Sequence, residues 1–322
     1  MLPQECEVNL STLKERAKVK LARDMGTWLI AALYDPQTIE IMVNADGRVW
    51  QEKFGESMGC IGELRPAQIE AIIKTVAGFH SKEVTKLKPL IEGEFPLDGS
   101  RFAGQLPPIV TSPTFAIRKK AIAIFTLEQY VEQSIMTQKQ YHKLKSAIAE
   151  HRNILVVGGT GSGKTTLVNA IINEMVNHDP LERIFIIEDT GEIQCTAQNS
   201  VQYHTTLDVS MTQLLKTTLR MRPDRILVGE VRGEEALDLL DAWNTGHEGG
   251  AATLHANDAL SGLTRLKSLI TRNKSAPSDI ESLIGEAVHL VVHVTRTPYG
   301  RRIQQVIEVQ GYKRGSYQIK NL

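Results

Sequence analysis

Apolar residues recur at spacings of three and four through residues 8–34, at Leu10, Leu13, Ala17 and Leu21, which predicts a helix. The intervening positions hold Lys14, Arg16, Lys18, Lys20 and Arg23, a basic face suited to solvent or to a membrane surface. Over residues 39–50 the pattern changes to two strands around Asn44-Ala45-Asp46-Gly47, in which Asp-Gly is a hairpin signal. Pro66 opens a helix that runs to Phe79, since proline is tolerated in a first turn. Strands follow over 101–106 and 114–118, separated by Pro107-Pro108. These elements make a small α+β unit over residues 1–122. Residues 123–137 read as a linker, because 126–137 has no clear partner.

From residue 138 the pattern becomes a strict alternation of short apolar runs and helical periodicity. A helix over 138–148 precedes the apolar runs 154–157, 184–187, 226–229 and 251–254. Such alternation predicts βαβ units and a mainly parallel sheet, an α/β domain over 138–322. A final strand pair, 288–294 and 303–309, turns around Pro298-Tyr299-Gly300.

Composition narrows the field. The 322 residues carry 37 Lys and Arg against 37 Asp and Glu, so the formal net charge is zero. A neutral chain without a basic stretch interleaved with aromatics argues against direct nucleic-acid binding. The apolar run 28–33 falls far short of the ~18 residues a membrane span needs, and the acidic residues near Met1 do not resemble a signal peptide. Three distant cysteines, Cys6, Cys60 and Cys195, offer no disulfide framework or CxxC clamp, so a cytoplasmic location is expected.

The candidate chemistry gathers at strand ends. The run 154–157 leads directly into Gly158-Gly159-Thr160-Gly161-Ser162-Gly163-Lys164-Thr165, which fits GxxxxGK[ST], and Thr166 continues as a helix. The glycines let successive backbone N–H groups turn around a phosphate, and the helix N-terminus adds its positive end. Lys164 is placed to reach the β- and γ-phosphates and the Thr165 hydroxyl to ligate Mg²⁺. Other strands end in Glu188-Asp189, with Glu192 beyond, in Glu230, and in His255. A single carboxylate after a strand usually caps a helix, and His255 alone reads equally well as a structural histidine. Parallel α/β sheets bind ligands outside the carboxyl ends of their strands, so several polar strand ends together point to function.

In this order the motifs resemble those of the traffic ATPases of type II and type IV secretion systems, closest to the conjugative-transfer branch. After the phosphate loop come an aspartate box at 187–192, a Walker B segment at 219–233 and a histidine box at 245–257. Tyr34-Asp35-Pro36 through Asn44 is similar to the family's first domain, and the absence of a four-cysteine zinc insertion fits the conjugation-type branch. The resemblance implies a RecA-like P-loop ATPase domain behind the α+β domain, assembled as a homo-oligomeric, hexameric ring. It implies ATP and Mg²⁺ as ligands, with Gly158, Gly159, Thr160, Gly161, Ser162, Gly163, Lys164, Thr165, Thr166 and His247 around the nucleotide. Gly229 stands where many NTPases have a metal-binding aspartate, which leaves Glu230 to polarise the attacking water and Glu188 as the Mg²⁺-linked carboxylate. His255 joins His247 near the γ-phosphate, and Arg101 and Arg118 are the arginines expected from the first domain. The implied function is ATP hydrolysis powering pilus assembly or substrate export. The implied partners are other machinery components and a peripheral contact on the cytoplasmic face of the inner membrane. A nucleic-acid-stimulated motor and a slow-turnover nucleotide-binding scaffold remain as alternatives. Asn273-Lys274-Ser275-Ala276 lacks the aspartate that reads guanine, and Glu230 favours turnover.

Overall fold

The computed structural model describes residues 4–53, 56–119, 125–206, 208–297 and 300–322, with side chains from Leu13 onward. The chain divides into two compact units, Met1–Ile122 and Ala123–Leu322. The first residues of the expected linker, 123 and 124, and the turn residues Pro298 and Tyr299 lie outside the described residues.

In the first unit α1 (Gln4–Tyr34) leads into β1 (Thr38–Val43), β2 (Arg48–Lys53) and β3 (Gly59–Glu63). Then come α2 (Pro66–Phe79), β4 (Leu90–Glu94), β5 (Arg101–Gln105) and β6 (Thr114–Arg118). Among the described residues the strands form a six-stranded sheet in the order β3-β2-β1-β6-β5-β4, antiparallel throughout. Alternation along the strands turns Ile41, Val43, Val49, Phe102, Phe115 and Ile117 into one core with α1 and α2. Helix α2 contributes Ile69, Ile72, Ile73 and Val76. Helix α1 contributes Leu21, Met25, Leu29 and Leu33, one residue per turn, and bends at Gly26, whose φ is +76°. The described part of the expected stripe is displaced toward the C-terminus: Leu13 is 59% exposed, Ala17 is half-buried and Leu21 enters the core.

The second unit begins with α3 (Leu127–Glu132), inside the segment expected to be a linker. Thr126 and Gln129 form a reciprocal capping box at its start, and Leu127, Tyr130 and Met136 are buried in the unit's core. Residues 126–136 thus fold as part of this unit. Then follow α4 (Gln138–Ala149), β7 (Ile154–Val157), α5 (Lys164–His178), β8 (Ile184–Glu188), β9 (Ser200–His204), α6 (Met211–Thr218) and β10 (Arg225–Val228). The chain closes with α7 (Glu235–Asn244), β11 (Ala251–Leu254), α8 (Ala259–Ile270), α9 (Ile280–Ala287), β12 (Leu290–Thr297), β13 (Gly300–Lys313) and β14 (Ser316–Asn321). The sheet order is β14-β13-β12-β7-β11-β10-β8-β9. From β12 to β9 all pairs are parallel, and β13 and β14 extend the sheet antiparallel.

Strands β7, β8, β10 and β11 are buried along their whole length, as expected for strands covered on both faces. Two buried polar residues tie the N-terminal edge of this sheet together. Asn153 Oδ1 accepts from the amides of Gly249 (2.8 Å) and Gly250 (3.1 Å), while its Nδ2 donates to the Ala287 carbonyl at 2.8 Å. Arg225, fully buried, pairs with Glu182 and donates to the carbonyls of Gly249 and Ile148. A buried guanidinium with its donors engaged satisfies the requirement that interior charge be paired.

Candidate nucleotide site

Four parallel strands deliver their C-terminal ends to one edge, and there Lys164, His255, Glu230 and Asp189 meet in a continuous chain of contacts that runs through Arg232. The loop after β7 closes onto α5 through Gly163, which takes φ +101° and precedes the first helical residue, Lys164. A side chain at Gly163 would be strained by that positive φ and would also displace Arg301, whose Cδ lies 2.8 Å from where a Cβ would stand. A Cβ on Gly158 would lie 2.2 Å from the Val294 carbonyl oxygen. The β12–β13 hairpin therefore forms a wall against both ends of the loop.

Lys164 is 8% exposed, and its Nζ donates to the carbonyls of Gly158 (3.1 Å) and Gly159 (2.9 Å). It also lies 3.4 Å from His255 Nδ1. His255, just past β11, places Nε2 at 2.9 Å from Glu230 Oε1. If Nδ1 accepts from the ammonium, Nε2 carries the proton and donates to the carboxylate. Glu230 Oε2 accepts from Arg232 at 2.5 Å, and Arg232 reaches Asp189 Oδ2 at 3.3 Å. Asp189 Oδ1 in turn accepts from the Thr205 hydroxyl at 2.9 Å. Burial pushes the Glu230 carboxyl up, but the Arg232 guanidinium, aided by His255 and Lys164, outweighs it and holds the group below its ordinary value. Arg232 is correspondingly raised by its hydrogen bond to Glu230.

Glu188 ends β8, one strand away, and is 3% exposed. Its Oε1 accepts from the amides of Glu192 (3.1 Å) and Ile193 (2.9 Å). A Cβ on Gly229 would meet Glu188 Cγ at 2.8 Å and Oε1 at 3.1 Å. The Glu188 side chain thus fills the space that a residue larger than glycine would need at 229. Among the described residues no cluster of three or more His, Cys, Asp or Glu could hold a metal unaided. A hydroxyl at Thr165 and one carboxylate at Glu188 are hard oxygen donors, and Mg²⁺ asks only one or two such protein ligands beside substrate phosphates. The donor set fits that ion.

The structure does not bring every expected residue to this edge. His247 lies in the loop before β11, whereas the phosphate loop follows β7. Since Ala251 pairs with Ile154 and Leu254 with Val157, His247 sits at the opposite edge of the parallel sheet. Four strand residues at ~3.3 Å each separate the two histidines of the box. His247 therefore does not belong to the constellation that holds His255. Arg101 and Arg118 lie in the first unit, directly opposite one another on β5 and β6, with Glu40 beside Arg118 on β1. Burial raises the Glu40 carboxyl, and the two arginines oppose that rise.

Three participants were not among the expected site residues: Arg232, Asp189 and Arg301. Arg232 stands two positions past Glu230, the spacing that puts side chains on one side of an extended segment, and that signal was legible. Arg301 comes from a hairpin far along the chain and has no comparable local signal.

Comparison with known proteins gives a consistent picture. Residues 62–316 match the family described as "Type II/IV secretion system protein". The conjugal transfer protein TrbB of Rhizobium radiobacter is 47% identical over 302 residues, covering 94% of this chain and 93% of its own length. The type IV secretion system protein PtlH of Bordetella pertussis is 32% identical over 305 residues, covering 84% and 89% respectively. Among solved structures, the VirB11 ATPase from the Brucella suis type IV secretion system, in complex with sulphate, aligns with a TM-score of 0.50 at 27% identity. That alignment covers 92% of this chain and 96% of the other. The pilus retraction motor PilT with bound ADP shares the fold, with a TM-score of 0.63 at 18% identity and 91% and 82% coverage.

Proposed function

The chain belongs to the type II/IV secretion system protein family, and from that premise we propose that it hydrolyses ATP to drive a type IV secretion or conjugative transfer machine, powering pilus assembly or substrate export. The observation that carries this reading is the unbroken line from Lys164 through His255 to Glu230, which joins a phosphate loop to a carboxylate. In this reading the amides of Gly158, Gly159, Thr160, Gly161, Ser162 and Gly163 wrap the phosphates, and Thr165 and Thr166 follow at the positive end of α5. The Lys164 ammonium, now on loop carbonyls, transfers to the β- and γ-phosphates.

Thr165 and Glu188 would hold Mg²⁺, which would supply positive charge to offset that of the phosphates. Water attacks the γ-phosphorus in line; as that bond forms, the bond to the β–γ bridging oxygen breaks, leaving ADP and phosphate. The water's proton passes to Glu230, whose depressed pKa keeps it ionised at neutral pH. His255 lies between this carboxylate and Lys164 and contributes on the γ-phosphate side. Arg101 and Arg118 are the proposed further cations for the transition state. A hexameric homo-oligomer, contacts with other machinery components, and a position on the cytoplasmic face of the inner membrane complete the proposal. Among the described residues no helix is long and apolar enough to cross a membrane.

The test is ATP turnover of the wild type and Lys164→Ala, each with and without DNA or anionic lipid vesicles. Lys164→Ala is expected to lose nucleotide affinity and turnover together; unchanged ATP affinity would mean the loop 158–165 is not the phosphate site. Stimulation by DNA would favour a nucleic-acid motor, and a wild type that binds ATP without turning it over would favour a scaffold.

A further inference from the structure

Both oxygens of Glu230 are engaged, Oε1 by His255 and Oε2 by Arg232. A carboxylate that takes a proton from water needs one oxygen clear, and it works best when the other is held by a third group. The two partners differ in what else holds them. His255 also approaches Lys164 Nζ at 3.4 Å, so it belongs to the phosphate side. Arg232 is anchored on the opposite side: one guanidinium nitrogen serves Glu230 while another reaches Asp189, itself fixed by Thr205. The planar guanidinium can serve two carboxylates at set angles, which an ammonium cannot. Arg232 is also 48% exposed, so its removal opens no cavity in the core.

We propose that Arg232 is the positioning residue for Glu230: it retains Oε2, leaves Oε1 for the attacking water, and takes its own bearing from Asp189. The inference rests on Glu230 being the base. Arg232 thereby couples the aspartate box to the Walker B segment.

The experiment measures ATP turnover and the Kd of a fluorescent ATP analogue for the wild type, Arg232→Ala, Arg232→Lys, Glu230→Gln and the Arg232→Ala/Glu230→Gln double variant. Arg232→Ala is expected to bind within about twofold of wild type but turn over ~10²-fold more slowly, the scale of a misplaced catalytic group. Arg232→Lys restores part of that loss, because an ammonium can hold Oε2 without reaching Asp189. In the Glu230→Gln background, Arg232→Ala should cost nothing further, since it acts only through the carboxylate. Arg232→Gln keeps the stem and is read the same way should the alanine variant not fold. Turnover of Arg232→Ala within twofold of wild type, or losses that multiply in the double variant, would overturn the proposal alone. Full turnover in Glu230→Gln would instead remove Glu230 as the base, and this inference with it.

Discussion

Gly229→Ala probes the claim that the Glu188 side chain occupies the space beside residue 229. The added methyl would stand 2.8 Å from Glu188 Cγ and 3.1 Å from Oε1. Glu188 is 3% exposed and tethered by two backbone amides, so it cannot swing aside as a loose surface tip would. Overpacking of this kind costs about 1–3 kcal/mol. Gly229 is not among the glycines at positive φ, so alanine returns about 0.4–1 kcal/mol by restricting the unfolded chain. The net loss is about 1–2 kcal/mol, and at roughly 2–4 °C per kcal/mol for a unit of this size the melting temperature should fall by about 2–8 °C. Thermal unfolding of Gly229→Ala, Glu188→Ala and the double variant isolates the contact. With the Glu188 side chain cut back, the methyl has room and its cost should vanish, a coupling of about 1–3 kcal/mol. A Gly229→Ala protein that melts at or above wild type, or that loses the same amount in both backgrounds, refutes the argument.

Glu230→Gln keeps size and hydrogen bonding but removes the proton acceptor; ATP binding should persist while turnover drops ~10²-fold or more, and near-normal turnover would hand the role to Glu188. The Arg101→Ala/Arg118→Ala double variant should still bind ATP but hydrolyse it slowly, since an arginine on the transferring phosphoryl can contribute ~10³ in rate. Normal hydrolysis would return both residues to the ordinary charge of a sheet surface. Burial depresses His293 below its usual 6.5, with Asp258 opposing, so in acid the unfolded chain takes up this proton more readily than the folded one. That contribution to stability is therefore present above pH 6.5 and lost as pH falls below it. His293→Gln should flatten the decline of melting temperature as pH falls below 6.5, and an unchanged slope would place the effect elsewhere.

Pattern alone located the elements whose burial is periodic. Helix α2 and strands β6, β7 and β11 have the boundaries that their apolar positions indicate. Strand β3 escaped because it is an edge strand with no fully buried residue, and β4 because only Ile91 enters the core. Without an apolar alternation there is little to read. Helix α3 is hard to read from periodicity because six residues make too short a run, although Thr126 and Gln129 stand at the capping-box spacing. The phosphate loop was legible because its chemistry lies in consecutive backbone groups. Glu230 and His255 were legible as strand ends. His247 and His255 are close in sequence but not in space: the short strand β11 carries the chain from one edge of the sheet to the other. The fit of Glu188 beside Gly229 joins two separate strands and leaves no mark in either local sequence.

The position of β7 in the sheet also orders events in time. The strand that bears the phosphate loop pairs on one side with β11 and on the other with β12, both made long after it. The Asn153 bridge at its base needs the carbonyl of Ala287, 134 residues farther along. At about 5–20 residues per second of synthesis, roughly 7–27 seconds pass between the emergence of Asn153 and that of its last partner. Until β11 emerges, the nascent chain holds a complete phosphate-loop sequence with neither flanking strand to shape it. A ribosome-bound fragment ending before β11 should therefore be unable to capture ATP, so nucleotide binding reports that synthesis has passed at least β11.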